Sequence, residues 1–197
     1  MTTIHLSRDE RMSSILKAAT EVVMEKGIEA ATVTAIANRS GVSRQWLYDF
    51  FPDVDSILAA LYEETQREYF ASPRAPGPTP TTFAQYIERE TMIWFEMPIA
   101  LCIVTSYALN GGTANATSGS TLRSLILDSF EQAWVVPLEK VGYTREEVFA
   151  SIITITNCVV GLAIAVHEGL TTIELAKERV SAVVHAIVGD GPTPDVI

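Results

Sequence analysis

Apolar residues recur along this chain at three- and four-residue spacing almost from end to end, the period that lines one face of an α-helix. Met12, Ile15, Leu16, Ala19, Val22 and Val23 mark a first helix from Arg8 to Lys26, with Gly27 at the stop. Thr32 is placed to cap a short helix ending near Ser40, and Ser43 to cap another running to Phe50. Pro52 bars continuation, and Asp53 can cap a fourth helix carrying Ile57, Leu58, Leu61 and Tyr62. The prolines between Ser72 and Pro80 impose a loop; beyond it Phe83 to Glu96 predicts a helix, Pro98 fits the first turn of another, and Gly111-Gly112 ends that one. A small-residue loop, Thr113 to Gly119, follows. Leu122, Leu125, Ile126, Ala133, Trp134, Leu138 and Val141 trace a long helix that Pro137 should kink. Thr144-Arg145-Glu146-Glu147 and Thr171-Thr172-Ile173-Glu174 both match the capping box and start the last two helices. With no period-two strand and no repeat, the fold class is all-α.

Composition narrows the function. A chain of 197 residues with 48% apolar content can hold one helical domain of ordinary size plus a small module, which divides it into 1–52 and 53–197. The first ten residues have no basic segment leading into an apolar run, so no signal peptide is expected and the cytoplasm is the expected location. Cys102 and Cys158 sit far apart in apolar surroundings and read as buried free thiols. His5, His167 and His185 lack metal-ligand spacing, and neither a phosphate-cradling glycine loop nor a Ser-His-Asp order stands out. No enzyme activity, metal or cofactor is expected. His167, beside Glu168, suits a helix C-terminus, where a cation meets the dipole. Phe149 to Val166 is long and apolar enough to raise a membrane reading, but Ser151, Thr154, Thr156 and Asn157 interrupt it, and a helix apolar on most sides also suits a subunit interface.

Between Thr32 and Phe51, Ala37, Gly41 and Leu47 fall where a helix-turn-helix needs a small residue, a turn glycine and an apolar anchor. The wider run Ile36-Ala37-Asn38-Arg39-Ser40-Gly41-Val42-Ser43-Arg44-Gln45-Trp46-Leu47-Tyr48-Asp49-Phe50-Phe51-Pro52-Asp53 resembles the signature of the TetR family of bacterial transcriptional regulators. Ile15-Leu16-Lys17-Ala18-Ala19, Gly27 and Thr32-Val33 extend the likeness over the first quarter of the chain. The resemblance implies a DNA-binding head followed by a helical ligand-binding and dimerisation domain. It assigns base reading to the exposed early residues of the third helix, Arg44, Gln45, Trp46 and Tyr48. That assignment is chemically sensible: Arg suits guanine, Gln adenine, and an aromatic a thymine methyl or sugar. Tyr48 suits a mixed role, its ring packed and its hydroxyl turned to a phosphate, while Trp46 also reads as ordinary core. Thr32, Thr34 and Ser43 lie at helix starts, which favour phosphate.

Charge complicates this picture. The net charge is −10, and residues 1–55 carry six basic groups against eight acidic ones, so the head has no basic patch in sequence. The family usually has a lysine at the start of the fourth helix, where this chain has Val54 between Asp53 and Asp55. For the remainder, the resemblance implies a small-molecule pocket and a homodimer formed by the last two helices. Trp94, Phe95, Tyr107, Asn110, Phe130, Trp134 and Asn157 are the candidate pocket residues. Thr154, Cys158, Gly161 and Ala165 form a small-residue stripe with Val159, Leu162 and Val166 as knobs, matched by Ala176, Val180, Val183, Val184 and Ile187; periodicity alone fits an internal core equally. The leading expectation is a repressor that binds palindromic operator DNA as a dimer and is released by an effector. The alternative is a helical small-molecule-binding or scaffold protein of the same fold with little specific DNA binding.

Overall fold

The computed structural model describes residues 7–71, 79–112, 121–140 and 142–189, which form ten α-helices and no β-strand. Most of the proline-rich loop, the small-residue loop and Val141 lie outside the described residues. Helix α1 (Arg8–Lys26) starts at a capping box: the Ser7 hydroxyl accepts from the Glu10 N–H at 3.2 Å, and the Glu10 carboxylate accepts from the Ser7 N–H at 2.7 Å. Its inner face buries Ile15, Ala19, Val22 and Val23, and Gly27 ends it with φ 81°.

Helix α2 (Val33–Ser40) packs on α1 through Ile36 and Ala37. Arg39 fixes that contact from outside, pairing with Glu21 at 3.5 Å and with Glu25. Helix α3 (Arg44–Tyr48) stops short of Phe50, because the N–H groups of Phe50 and Phe51 both turn back to the Leu47 carbonyl and the residue before a proline disfavours helical backbone. Helix α4 (Val54–Ala71) is capped by Asp53, whose Oδ1 accepts from the Ser56 N–H at 2.9 Å. Helix α5 (Phe83–Met92) tightens into a 3₁₀ turn at Ile93–Phe95 and does not run on to Glu96, and Pro98 precedes the first turn of α6 (Ile99–Leu109) rather than lying in it.

The expected long helix is broken. Helix α7 (Thr121–Phe130) runs into a π-turn at Glu131–Val135, followed by the single turn α8 (Val136–Glu139). Pro137 has no N–H for the carbonyl four residues before it, and the winding loosens upstream, with the Val136 N–H reaching back five residues to the Glu131 carbonyl. The disturbance is thus a widened turn ahead of the proline.

Helix α9 (Arg145–His167) has the expected capping box, the Thr144 hydroxyl accepting from the Glu147 N–H at 3.3 Å and the Glu147 carboxylate from the Thr144 N–H at 3.0 Å. Helix α10 (Ile173–Val188) starts one residue later than a box at Thr171 requires: Thr172 is the cap, and Leu175 stands where the reciprocating carboxylate would be. Ala176, Val180 and Val184, read above as a possible pairing stripe, are buried within the subunit against α9 and α5, and Val159 is fully buried as well. Internal packing claims these residues. Thr154 and Gly161 face outward, and Cys158 and Ala165 are half-buried. Helix α9 is long and apolar enough to cross a membrane, with a mean hydropathy of 2.2 over a window only 33% buried. A helix this apolar and this little covered has a face without a partner inside the subunit.

One apolar cluster runs from Ile15, Ile36 and Leu47 in the first helices through Leu58 to Leu101 and Val159. Helix α4 makes this continuity, since it packs on α1 at one side and on α6 and α7 at the other.

Candidate nucleic-acid interface and cavity

The α2-turn-α3 unit is held by backbone geometry that its sequence dictates. Gly41 has φ 74° and ψ 10°, the left-handed region that glycine enters without a Cβ penalty, and its N–H closes on the Ala37 carbonyl at 3.0 Å. Leu47, fully buried, anchors α3 beneath. Thr32 and Ser43 cap α2 and α3, accepting from the N–H groups of Ala35 at 3.1 Å and Trp46 at 3.2 Å. A hydroxyl that accepts in a cap still has its proton to donate, so both can serve a phosphate without uncapping the helix. Thr34, Arg44 and Gln45 are exposed, and Gln45 Nε2 lies 3.4 Å from Asp49 Oδ1 on the same face.

The two aromatics divide differently from the expectation. Tyr48 is 54% exposed, so its ring is presented along with its hydroxyl. Trp46 is half-buried, stacked on Phe50 with ring centroids 4.3 Å apart. Over this pair lie the guanidinium groups of α1, Arg11 5.4 Å from the Trp46 ring and Arg8 4.7 Å from the Phe50 ring. The basic groups near α3 are therefore Arg8, Arg11 and Arg44, gathered from two helices, while Arg39 is committed to the acids of α1. Sequence order concealed this gathering. One acid beside Val54 also leaves the surface: the Asp55 carboxylate is buried and accepts from the Leu122 N–H of α7 at 3.1 Å.

A cavity of 720 Å³ opens between α4, α5, the π-turn and α9, with Ile187 and Val188 of α10 also in its lining. Trp94, Phe130 and Trp134 line it; Phe95, Tyr107, Asn110 and Asn157 do not. Asn110 and Asn157 instead bond each other at 3.1 Å and tie α6 to α9. The walls add residues not singled out from sequence: Tyr62, Gln66 and Phe70 at four-residue spacing on α4, and Tyr86 and Glu90 at the same spacing on α5. That spacing was the available signal, since it places each set on one helical face. Inside, Gln66 Nε2 donates to the Tyr62 hydroxyl at 2.7 Å, and Tyr86 and Trp134 meet edge to face at 5.7 Å. Burial pushes the Tyr62 phenol above its ordinary pKa. Tyr86 rises too, through burial and then through the charge of Glu90. Both phenols thus stay protonated at neutral pH.

Residues 15–61 match the sequence model of the bacterial regulatory proteins of the tetR family. Over 57 residues the chain is 48% identical to the HTH-type transcriptional activator FasR of Mycolicibacterium smegmatis, covering 28% of this chain and 26% of that one. Over 47 residues it is 43% identical to an uncharacterized HTH-type transcriptional regulator of Mycobacterium tuberculosis, covering 24% and 25%. The aligned stretch therefore spans about a quarter of these relatives' length. In three dimensions the chain is similar to a TetR-like transcriptional regulator from Rhodococcus sp. RHA1, with a TM-score of 0.61 at 17% identity, covering 94% of this chain and 100% of that one. It is also similar to the fatty acid degradation regulator FadR from Bacillus halodurans, with a TM-score of 0.56 at 17% identity over 93% and 97% of the two chains. The first four helices thus carry a segment similar to the tetR-family sequence model, and the chain as a whole is similar in fold to TetR-like transcriptional regulators.

Proposed function

We propose that the protein is a repressor that grips a palindromic operator as a homodimer and lets go when a small molecule fills the cavity. The observation that carries this reading is the course of α4. Its first turn adjoins the head of residues 1–52, Asp55 ties it to α7, and about two turns further on it begins to supply Tyr62, Gln66 and Phe70 to the cavity wall. A molecule that shifts this wall moves the helix against which the head is packed. Two half-sites on one face of DNA lie about 34–36 Å apart or at multiples of that distance, so a modest change in head separation breaks simultaneous contact.

In this reading Arg44, Gln45, Trp46 and Tyr48 face base edges, and Thr32, Thr34 and Ser43 take phosphates with help from Arg8 and Arg11. The dimer forms on the outward face of α9, where Thr154, Cys158, Gly161 and Ala165 let a partner helix approach closely. That contact would cover the apolar surface that α9 leaves open. The protein acts in the cytoplasm, where its operator is.

Selection of genomic duplex fragments by the purified protein, followed by anisotropy titration of the selected site, tests the reading. A palindromic site bound by two subunits supports it. Uniform weak binding of all fragments would favour a helical binding protein without an operator. Linkage adds a second requirement: whatever factor the effector takes from operator affinity, the operator must take from effector affinity.

A further inference from the structure

The cavity walls carry a sign. Among the described residues that line it there is no Lys, Arg or His, and the two charged groups are Glu90 and Glu147. Glu147 is spent on the cap of α9, where it accepts from the N–H of Thr144 at 3.0 Å and from its hydroxyl at 2.6 Å. Glu90 is different. Its side chain is half-buried in the α5 wall, one turn beyond Tyr86, and Trp134 meets Tyr86 there edge to face. The chain already places one cation against this pair from outside: Arg89 lies 2.8 Å from the Glu90 carboxylate and 5.2 Å from the centre of the Tyr86 ring. A carboxylate and an electron-rich ring that together hold a guanidinium on the solvent side offer the same attraction on the cavity side.

The remaining polar groups are neutral; among them Gln66 donates to Tyr62 at 2.7 Å and Ser129 to the Ile126 carbonyl at 2.7 Å. They can orient a ligand but cannot neutralise an anion. In a site walled by aromatic rings a buried charge must meet its opposite or stay in water. A carboxylate or phosphate ligand finds no cation among the residues lining these walls, and meets a carboxylate that Arg89 pairs from the solvent side. A cation finds Glu90. The volume of 720 Å³ lies within the range of roughly 300–1,000 Å³ usual for small-molecule sites and accommodates several rings.

We propose that the cavity takes a lipophilic organic cation, an aromatic amine or onium compound, with Glu90 as its counter-charge and the rings of Tyr86 and Trp134 as its walls. This rests on the effector reading above and adds the chemical class. Two ions of the same shape and opposite charge, tetraphenylphosphonium and tetraphenylborate, test it directly, with triphenylphosphine oxide as the neutral relative. Binding to the full chain without DNA is followed by quenching of tryptophan fluorescence and by equilibrium dialysis. The salt is kept near 0.15 M, so that long-range attraction by the net charge of −10 is screened.

The phosphonium ion is expected to bind at least about tenfold more tightly than the borate. Glu90→Gln should lower phosphonium affinity about tenfold while the neutral oxide binds as before, which shows the cavity intact. Equal or tighter binding of the borate by the unmodified protein would overturn the proposal. So would a Glu90→Gln protein that keeps its phosphonium affinity, or one that loses the phosphonium and the neutral oxide in equal measure. Phosphonium binding that depends on Glu90 but leaves operator affinity unchanged would uphold the charge class and refute the effector reading.

Discussion

Replacing Asp55 by alanine removes a buried carboxylate whose Oδ2 accepts from the Leu122 N–H at 3.1 Å, at the N-terminus of α7. A hydrogen bond to a charged group contributes about 1.5–3 kcal/mol, and a negative charge at a helix N-terminus about 0.3–1 kcal/mol, up to ~2 in a buried setting. The two contributions overlap in one group, so the expected loss is about 2–3 kcal/mol, near the upper end of the hydrogen-bond range alone. Asp55→Asn keeps an acceptor and loses the charge, for an expected cost of about 1 kcal/mol. With a urea dependence of about 2–3 kcal/mol per molar for a chain of this size, Asp55→Ala should lower the unfolding midpoint by roughly 1 M. Circular dichroism at a single fixed protein concentration measures this, because dimerisation would make the midpoint concentration-dependent. The same bond joins α4 to α7, so the variant should also show a smaller effect of ligand on operator affinity when assayed below its unfolding range. A midpoint within about 0.2 M of the unmodified protein, or an Asp55→Asn protein as damaged as Asp55→Ala, would refute the role assigned to this carboxylate.

Alanine at Arg44 or Gln45 should cost about 1–3 kcal/mol at one base pair and relax preference there, whereas Thr34→Ala should weaken all sequences alike; anisotropy against a set of single-base variants of the operator separates the two behaviours. Gly161→Leu should shift sedimentation toward monomer at micromolar concentration while the subunit keeps its helicity, since a Cβ at Gly161 meets nothing within 4 Å inside the subunit. Cys102, whose thiol burial pushes up to about 12 and which donates to the Trp94 carbonyl at 3.7 Å, should resist iodoacetamide at pH 8 until the protein is unfolded, as mass spectrometry of the labelled peptide would reveal.

The head was legible because its local signals agree with one another. Thr32, Gly41, Ser43 and Asp53 each impose a backbone geometry on their own few residues, and the fold had only to accept them. The body was legible as helices but not as faces. Val180 and Gly161 both lie on apolar helices, yet Val180 is inside and Gly161 outside, and nothing in the spacing orders α10 against α9 before α5 arrives to cover it. The cavity depended on the same missing information. Asn110 and Asn157 read as ligand-orienting groups because each is an isolated polar residue, but 47 positions of chain separate a pair that satisfies itself. Charge misled in a similar way. Counted along the sequence, Asp55 opposes DNA and Arg11 belongs to no patch, while in space the acid is buried and the arginine sits over α3.

The π-turn at Glu131–Val135 holds one residue more in its loop than an α-helical turn would, which is the form that a single inserted residue takes when a helix absorbs it locally. The flanking helical segments then keep their orientation, Ile126 and Leu138 both facing the core on either side of it. Since Phe130, Ala133 and Trp134 lie at or in this turn and line the cavity, an insertion or deletion here changes what the cavity displays without turning the framework around it. A chain of this fold with one residue fewer here would present a different cavity wall while the course of α4 stayed the same. Diversification by length, confined to one turn of one helix, would change the cavity wall and leave the rest of the helical framework in place.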